Sequence, residues 1–285
     1  MKEERFILQK DSNSKAVIEP NYENLPFKFH PTLLFAFVPT EDIDDFLRDN
    51  PYKVLGSYDT ISFQPNIYEI ESDGKYFTLC QAPLGASAAT QLLDWLIAYG
   101  VKKVLAFGNA GAITDLPENA MFIPTQAIRD EGTSFHYLED SLRVDLNSQF
   151  LSRIEERLDE LDLKYDKITT WTTDSFFRET AKKVAQFRQL GASTVEMECS
   201  ALAACAQFRK VDFAQILFTA DTLANEKDYD PRDGGTDSHR RGLDICFEIL
   251  KRLSCKVRII IWNSIFNDDK RWVIYAIISG QTWSE

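Results

Sequence analysis

Three short, mostly apolar runs decide what this chain can fold into. Residues 33–38 (Leu-Leu-Phe-Ala-Phe-Val), 101–107 and 213–218 are each strand-length and too apolar for a strand with one wet face. Such strands need cover on both sides, and the sequence between them has helical spacing. The helical stretches are 41–50, acidic in its first turn; 85–99, with Leu92, Leu93, Leu96 and Ile97 on one side; 151–161; 195–208; and 243–253. Further strand-like runs fall at 62–70 and 75–81, either side of the hairpin signal Ser72-Asp73-Gly74, and at 121–128 and 167–172. Strands alternating with helices predict a single α/β domain, a central mixed sheet flanked by helices on both faces. Residues 1–30, polar and rich in Asn, Pro and Lys, read as an N-terminal arm, and 31–255 as the catalytic domain. Residues 256–285 read as an apolar, aromatic C-terminal extension of unknown role, an extra hairpin or a dimer contact.

Composition narrows the function. A net charge of -12 offers no footprint for nucleic acid or an anionic membrane, so an anionic substrate would have to be held by local donors. No apolar run approaches a membrane span, and the charged start Met1-Lys2-Glu3-Glu4-Arg5 predicts no signal peptide and a cytoplasmic location. Five cysteines, an odd number without C-x-x-C, imply neither a disulfide framework nor a zinc knuckle. Three histidines without metal-ligand spacing predict no metal, and no cofactor is expected.

Four local patterns carry chemistry. Phe107-Gly108-Asn109-Ala110-Gly111 reads as a strand-to-loop turn whose glycines let backbone N–H groups approach an anion or a ribose oxygen; a tight turn alone would also explain it. It is not a dinucleotide fingerprint, because no third glycine opens the next helix. Thr194-Val195-Glu196-Met197-Glu198 places two carboxylates around an apolar residue at the start of a helix, as a helix-terminal acid pair or as a binding group. Thr219-Ala220-Asp221-Thr222 puts an Asp at the carboxyl end of a buried strand, where α/β sheets bind ligands and where helix caps also sit. Asp174-Ser175-Phe176-Phe177 offers aromatic rings after a strand, for core packing or for stacking on a base.

In this order and spacing the four resemble the nucleoside phosphorylase superfamily, which includes purine nucleoside and uridine phosphorylases and methylthioadenosine nucleosidases. The resemblance covers roughly residues 31–253 and is carried by Val195-Glu196-Met197-Glu198, by the run 108–113 and by Thr219-Ala220-Asp221. It implies that Glu198 binds the ribose hydroxyls, Met197 packs on the sugar, Glu196 supports the site and Phe176 stacks on the base. Gly108 and Asn109 line the site. It also implies that Asp221 is the general acid for a purine-type leaving group, with Arg241 or Arg240 as a loosely matched partner, and that the chain forms a homo-oligomer (dimer, trimer or hexamer). Breaking a C–N glycosidic bond builds positive charge on the sugar and negative charge on the base, which an acid aimed at the base offsets.

The pattern departs from the phosphorylases where they hold phosphate. Their Arg before the glycine turn is Ala106, and the early loop reads Thr40-Glu41-Asp42-Ile43-Asp44, with Thr40 for its glycine and Asp44 for its Arg. A carboxylate there repels phosphate, so hydrolysis is favoured over phosphorolysis, with Asp44 or Glu41 expected to activate water. Arg129 and Arg178 remain as cations for inorganic phosphate or for the base, and His136 as a contact to a sugar hydroxyl. The alternative is a nucleoside-binding protein that has lost turnover.

Overall fold

The structure is a computed structural model that describes residues 6–8, 11, 15–225 and 227–253. Among these are ten strands and six helices: β1 (Thr32–Ala36), α1 (Thr40–Asp49), β2 (Tyr52–Ser57), β3 (Asn66–Ser72), β4 (Lys75–Gln81), α2 (Ala86–Ala98), β5 (Lys103–Ala112), β6 (Met121–Asp130), β7 (Arg143–Asp145), α3 (Ser148–Glu160), β8 (Asp166–Thr173), α4 (Ala181–Gln189), β9 (Ala192–Glu196), α5 (Cys199–Arg209), β10 (Asp212–Thr222) and α6 (Thr236–Leu253). The extension at 256–285 lies outside the described residues.

The domain is mixed α/β, as the alternation predicts, and the strands form one mixed sheet. The three apolar runs become β1, β5 and β10, which run parallel, with β1 beside β5 and β5 beside β10. Beyond them the sheet curls on itself. β10 pairs with β6, β6 with β8, β8 with β9, and β9 returns to β5, closing a five-stranded barrel. β4, β3 and β2 extend from β1 as an open wing. Closure rests on short antiparallel contacts, Leu217↔Phe122 with Phe218↔Met121 and Gly111↔Val195 with Ala112↔Thr194.

Two elements differ from expectation. The glycine run 108–111 is not a turn; β5 continues through it to Ala112. Its backbone is engaged with β10, and the missing side chains serve close approach: a Cβ on Gly108 would stand 2.9 Å from Cβ of Phe37. The helix expected over 195–208 is a strand, β9, followed by α5 from Cys199. Apolar spacing runs across the junction, so periodicity alone could not find it. The carboxylate of Glu196 sets it, by accepting the amides of Glu198 (2.7 Å) and Cys199 (2.6 Å) and so capping α5 from the strand end.

α6 packs on α1, α3 and strands β1, β5 and β10, while α5 packs on α2 and strands β6 to β8 and β10. Phe27 and Phe29, from the segment before β1, stack near Trp95 and Tyr99 of the α2 end, with ring centroids 5.3–6.3 Å apart. No helix among the described residues is long and apolar enough to cross a membrane. α6 approaches β5 through Gly242, where an added Cβ would lie 2.1 Å from Cε2 and Cζ of the buried Phe107 ring. Gly242→Ala is therefore expected to lower the urea midpoint, because overpacking costs about 1–3 kcal/mol against a helix-propensity gain of at most about 1 kcal/mol. A raised midpoint would show that α6 can shift off β5 freely.

Candidate active site

The carboxyl ends of β6, β9 and β10 carry the acids. Asp221 stands near the end of β10, where the register with β5 shifts between Thr219 and Thr222. Its carboxylate lies over Gly111, where an added Cβ would be 3.0 Å from Oδ1. The chain after it is fixed on two sides. Thr222 bridges to Asp230, and Arg188 donates to the carbonyls of Leu223 (2.9 Å) and Ala224 (2.8 Å). No helix starts at Asp221, so the capping role is excluded; Tyr229 hydrogen-bonds to its carboxylate.

On the other side of β5, β9 delivers Glu196, Met197 and Glu198. Glu196 is buried and accepts three hydrogen bonds, from the hydroxyl of Thr172 (2.6 Å) and the two amides at the start of α5. Glu198 is buried beneath the loop before α2, and its Oε1 accepts the amide of Gly85 (2.5 Å). Met197 between them is half-buried. Burial pushes both carboxyls above the usual range. In Glu198 the charge of Glu196 adds to it, whereas in Glu196 its three donors oppose it. The negative charge of the pair is therefore favoured on Glu196, and Glu198 keeps its proton more readily. A further buried acid, Glu131 at the end of β6, accepts from Ser134 N (2.9 Å) and Ser200 Oγ (2.8 Å).

Several expected site residues are placed elsewhere. Arg129 is buried, and its guanidinium donates to Ser134 Oγ (2.8 Å), Glu139 O (2.7 Å) and Ser141 Oγ (2.8 Å). It braces the 133–142 loop and is not available to phosphate or base, because desolvating it again would forfeit those bonds. Asp44 is exposed on the outer side of α1, in a groove with Leu47, Arg48, Tyr52 and Val54, away from the strand ends. The residue of that loop that turns inward is Asp42. Its Oδ2 lies 3.0 Å from His239 Nδ1, and His239 Nε2 accepts from Asn109 Nδ2 at 2.9 Å. Helical spacing explains the exchange, since Asp42 and Asp44 are two residues and so about 200° apart around α1.

Asn109 is thus a tie and not a free binding group: its amide also donates to Gly235 O (3.2 Å) and accepts from Ser238 Oγ (2.9 Å). Gly108 is sealed against Phe37. Arg240 pairs with Asp49 and Asp244, and Arg241 lies over the Phe218 ring, so the structure gives neither to Asp221. Glu41 is exposed in the first turn of α1, and Arg178 and His136 are exposed at the ends of short 3-10 turns. Phe176 is 47% exposed, edge-on to Phe177 at 5.0 Å, which leaves a ring face for a ligand.

Glu179 was not legible in the sequence. It follows the Phe176–Arg178 turn, is half-buried, and its carboxyl is pushed up to about 7, first by burial and then by the charge of Asp221, with Lys183 opposing.

Comparison with known proteins agrees with this architecture. The family model of the phosphorylase superfamily matches residues 34–253. No curated protein matches the chain by sequence. Among solved structures, purine nucleoside phosphorylase from Toxoplasma gondii in complex with immucillin-H superposes with a TM-score of 0.69 at 15% identity, over 79% of this chain and 92% of that one. Uridine phosphorylase from Vibrio fischeri gives 0.66 at 19% identity, over 86% and 98%. AMP nucleosidase from Bacteroides thetaiotaomicron gives 0.63 at 20% identity, over 79% and 89%. At these identities the likeness is one of fold.

Proposed function

Because this chain belongs to the phosphorylase superfamily, we propose that it cleaves the N-glycosidic bond of a purine-type nucleoside, with water as the preferred nucleophile. The observation that carries this reading is the pairing of acids about the end of β5, with Asp221 over Gly111 on one side and buried Glu198 leaving β9 on the other. Asp221 supplies the proton to the departing base, where general acid catalysis is worth about 10²–10⁴-fold. Glu198 and Met197 hold the sugar, and Phe176 covers the base. Glu196 keeps Glu198 in place through the start of α5.

Water is preferred over phosphate for an electrostatic reason. The strand ends present the charges of Asp221 and Glu196, while Arg129 is consumed inside its own loop, Lys183 is held by Asp130 at 2.6 Å, and Arg178 is the exposed cation nearby in the chain. A phosphate dianion among these carboxylates would be repelled. Of the two α1 acids expected to activate water, Glu41 is kept in this reading because Asp44 lies in the groove on the outer side of α1. Leu84 (76% exposed) and Phe177 (91% exposed) flank this end of the domain, and we read them as surface covered by a second copy of the chain in a cytoplasmic homo-oligomer.

The test is release of free base from a panel of purine and pyrimidine nucleosides, with and without inorganic phosphate. The expected result is purine release without phosphate, yielding free ribose. Strictly phosphate-dependent release would overturn the choice of nucleophile and turn attention to exposed Arg178. Binding without release from any nucleoside would identify a non-catalytic nucleoside-binding protein.

A further inference from the structure

Glu131, just beyond β6, has no role assigned so far, yet it opens a chain of hydrogen bonds that ends at Glu198. Its Oε2 accepts the amide of Ser134 at 2.9 Å, and its Oε1 accepts the hydroxyl of Ser200 at 2.8 Å. Ser200 lies in the first turn of α5, and its amide donates to Thr172 Oγ1 at 3.0 Å. An amide can only donate, so Thr172 receives it on a lone pair and keeps its one proton for Glu196 Oε1, at 2.6 Å. Glu196 Oε2 accepts the amides of Glu198 and Cys199, and Glu198 Oε1 accepts the amide of Gly85. Glu131, Ser200, Thr172, Glu196 and Glu198 are all buried, so a break in the chain leaves a donor or acceptor out of reach of water.

Stability alone does not call for Glu131. Glu196 already caps α5, and apolar side chains fill such a place at less cost than a third buried carboxyl. What Glu131 adds is a tether. It ties the first turn of α5 to the turn after β6, which Arg129 clamps from behind through Ser134 Oγ at 2.8 Å. We propose that Glu131, acting through Ser200 and Thr172, is the positioning residue for Glu198, and that it sets how sharply the site distinguishes a ribose from a 2′-deoxyribose. The proposal rests on the reading of Glu198 as the sugar ligand given above. A carboxyl held in place rejects a sugar that lacks its hydroxyl, because the acceptor is then left unpaired; a carboxyl free to turn finds another partner and discriminates less.

Two measurements on the full chain test it, each with Ser200→Ala, which removes one hydroxyl from the chain, and with Glu131→Gln. Thr170→Val is the control, because it removes a buried hydrogen bond between β8 and β9 (Thr194 Oγ1 to Thr170 Oγ1, 3.0 Å) outside the chain. The first measurement is the ratio of kcat/KM for a ribonucleoside over its 2′-deoxy counterpart. It is expected to fall by about tenfold in Ser200→Ala and Glu131→Gln, since small misplacements of a binding group cost up to about 10²-fold, and to hold in Thr170→Val. An equal loss for both sugars overturns the proposal, because general loosening of the fold then explains it. The second measurement needs no turnover. In protein labelled with nitrogen-15 glycine, which has twelve glycines, the Gly85 amide signal reports its bond to Glu198. It is expected to move upfield in Ser200→Ala and Glu131→Gln as that bond lengthens, and to stay in Thr170→Val. A Gly85 signal unmoved in both variants overturns the proposal whatever the activity. A signal that moves in a protein that releases no base, or that handles both sugars alike, sustains Glu131 as the positioning residue for Glu198 and sinks the reading of Glu198 as the sugar ligand instead.

Discussion

Asp221→Asn is expected to reduce kcat/KM for base release by about 10²–10⁴-fold while leaving the nucleoside dissociation constant within about threefold. The substitution keeps the shape of the side chain over Gly111, where Oδ1 leaves no room for a Cβ, and it keeps an oxygen for the Tyr229 hydroxyl. It removes only the proton that a carboxyl can release and a carboxamide cannot. The surrounding clamps, Arg188 on the carbonyls of Leu223 and Ala224 and the Thr222 bridge to Asp230, do not involve the Asp221 side chain and so hold the backbone in place. Kinetics of base release paired with calorimetric binding of the same nucleoside check this directly. A loss below threefold would remove Asp221 from the chemistry. A matching loss of binding would make it a ligand group.

Glu196→Ala is expected to have the largest effect on stability of any substitution at the site, about 3 kcal/mol or more, read as a fall in the urea midpoint. Three buried donors depend on this carboxylate: the Thr172 hydroxyl and the amides of Glu198 and Cys199. Alanine leaves all three without an acceptor and leaves α5 uncapped. Because Glu198 is placed by the same turn, nucleoside binding should weaken with stability. Glu196→Gln retains one acceptor oxygen and should fall between the two, at about 1–2 kcal/mol. A change under about 0.5 kcal/mol in the alanine variant would show that water or a shifted side chain replaces the carboxylate, and that the start of α5 does not depend on it.

How much of this was written in the chain follows from the range of each interaction. The strands β1, β5 and β10 and the helices α2, α3 and α6 were legible because burial on both faces, or on one stripe, leaves a periodic trace in neighbouring residues. The acids at the strand ends were legible as Asp221, Glu196 and Glu198 because a carboxylate beside apolar strand residues stands out in sequence. The site's partnerships were not. Whether Asp42 or Asp44 turns inward depends on the angle at which α1 meets α6, where His239 waits 197 positions later. Arg129 reads as a free cation until the loop carbonyls around Glu139 close on its guanidinium. Glu179 reads as an ordinary surface acid until the fold half-buries it within reach of the charge of Asp221. The alternation of apolar runs, a local property, determined the α/β domain and the acids it would carry. Closure of the β5–β10–β6–β8–β9 barrel, a non-local one, decided which acids and cations meet, because electrostatic and hydrogen-bond partners are chosen by distance in space and leave no pattern along the chain.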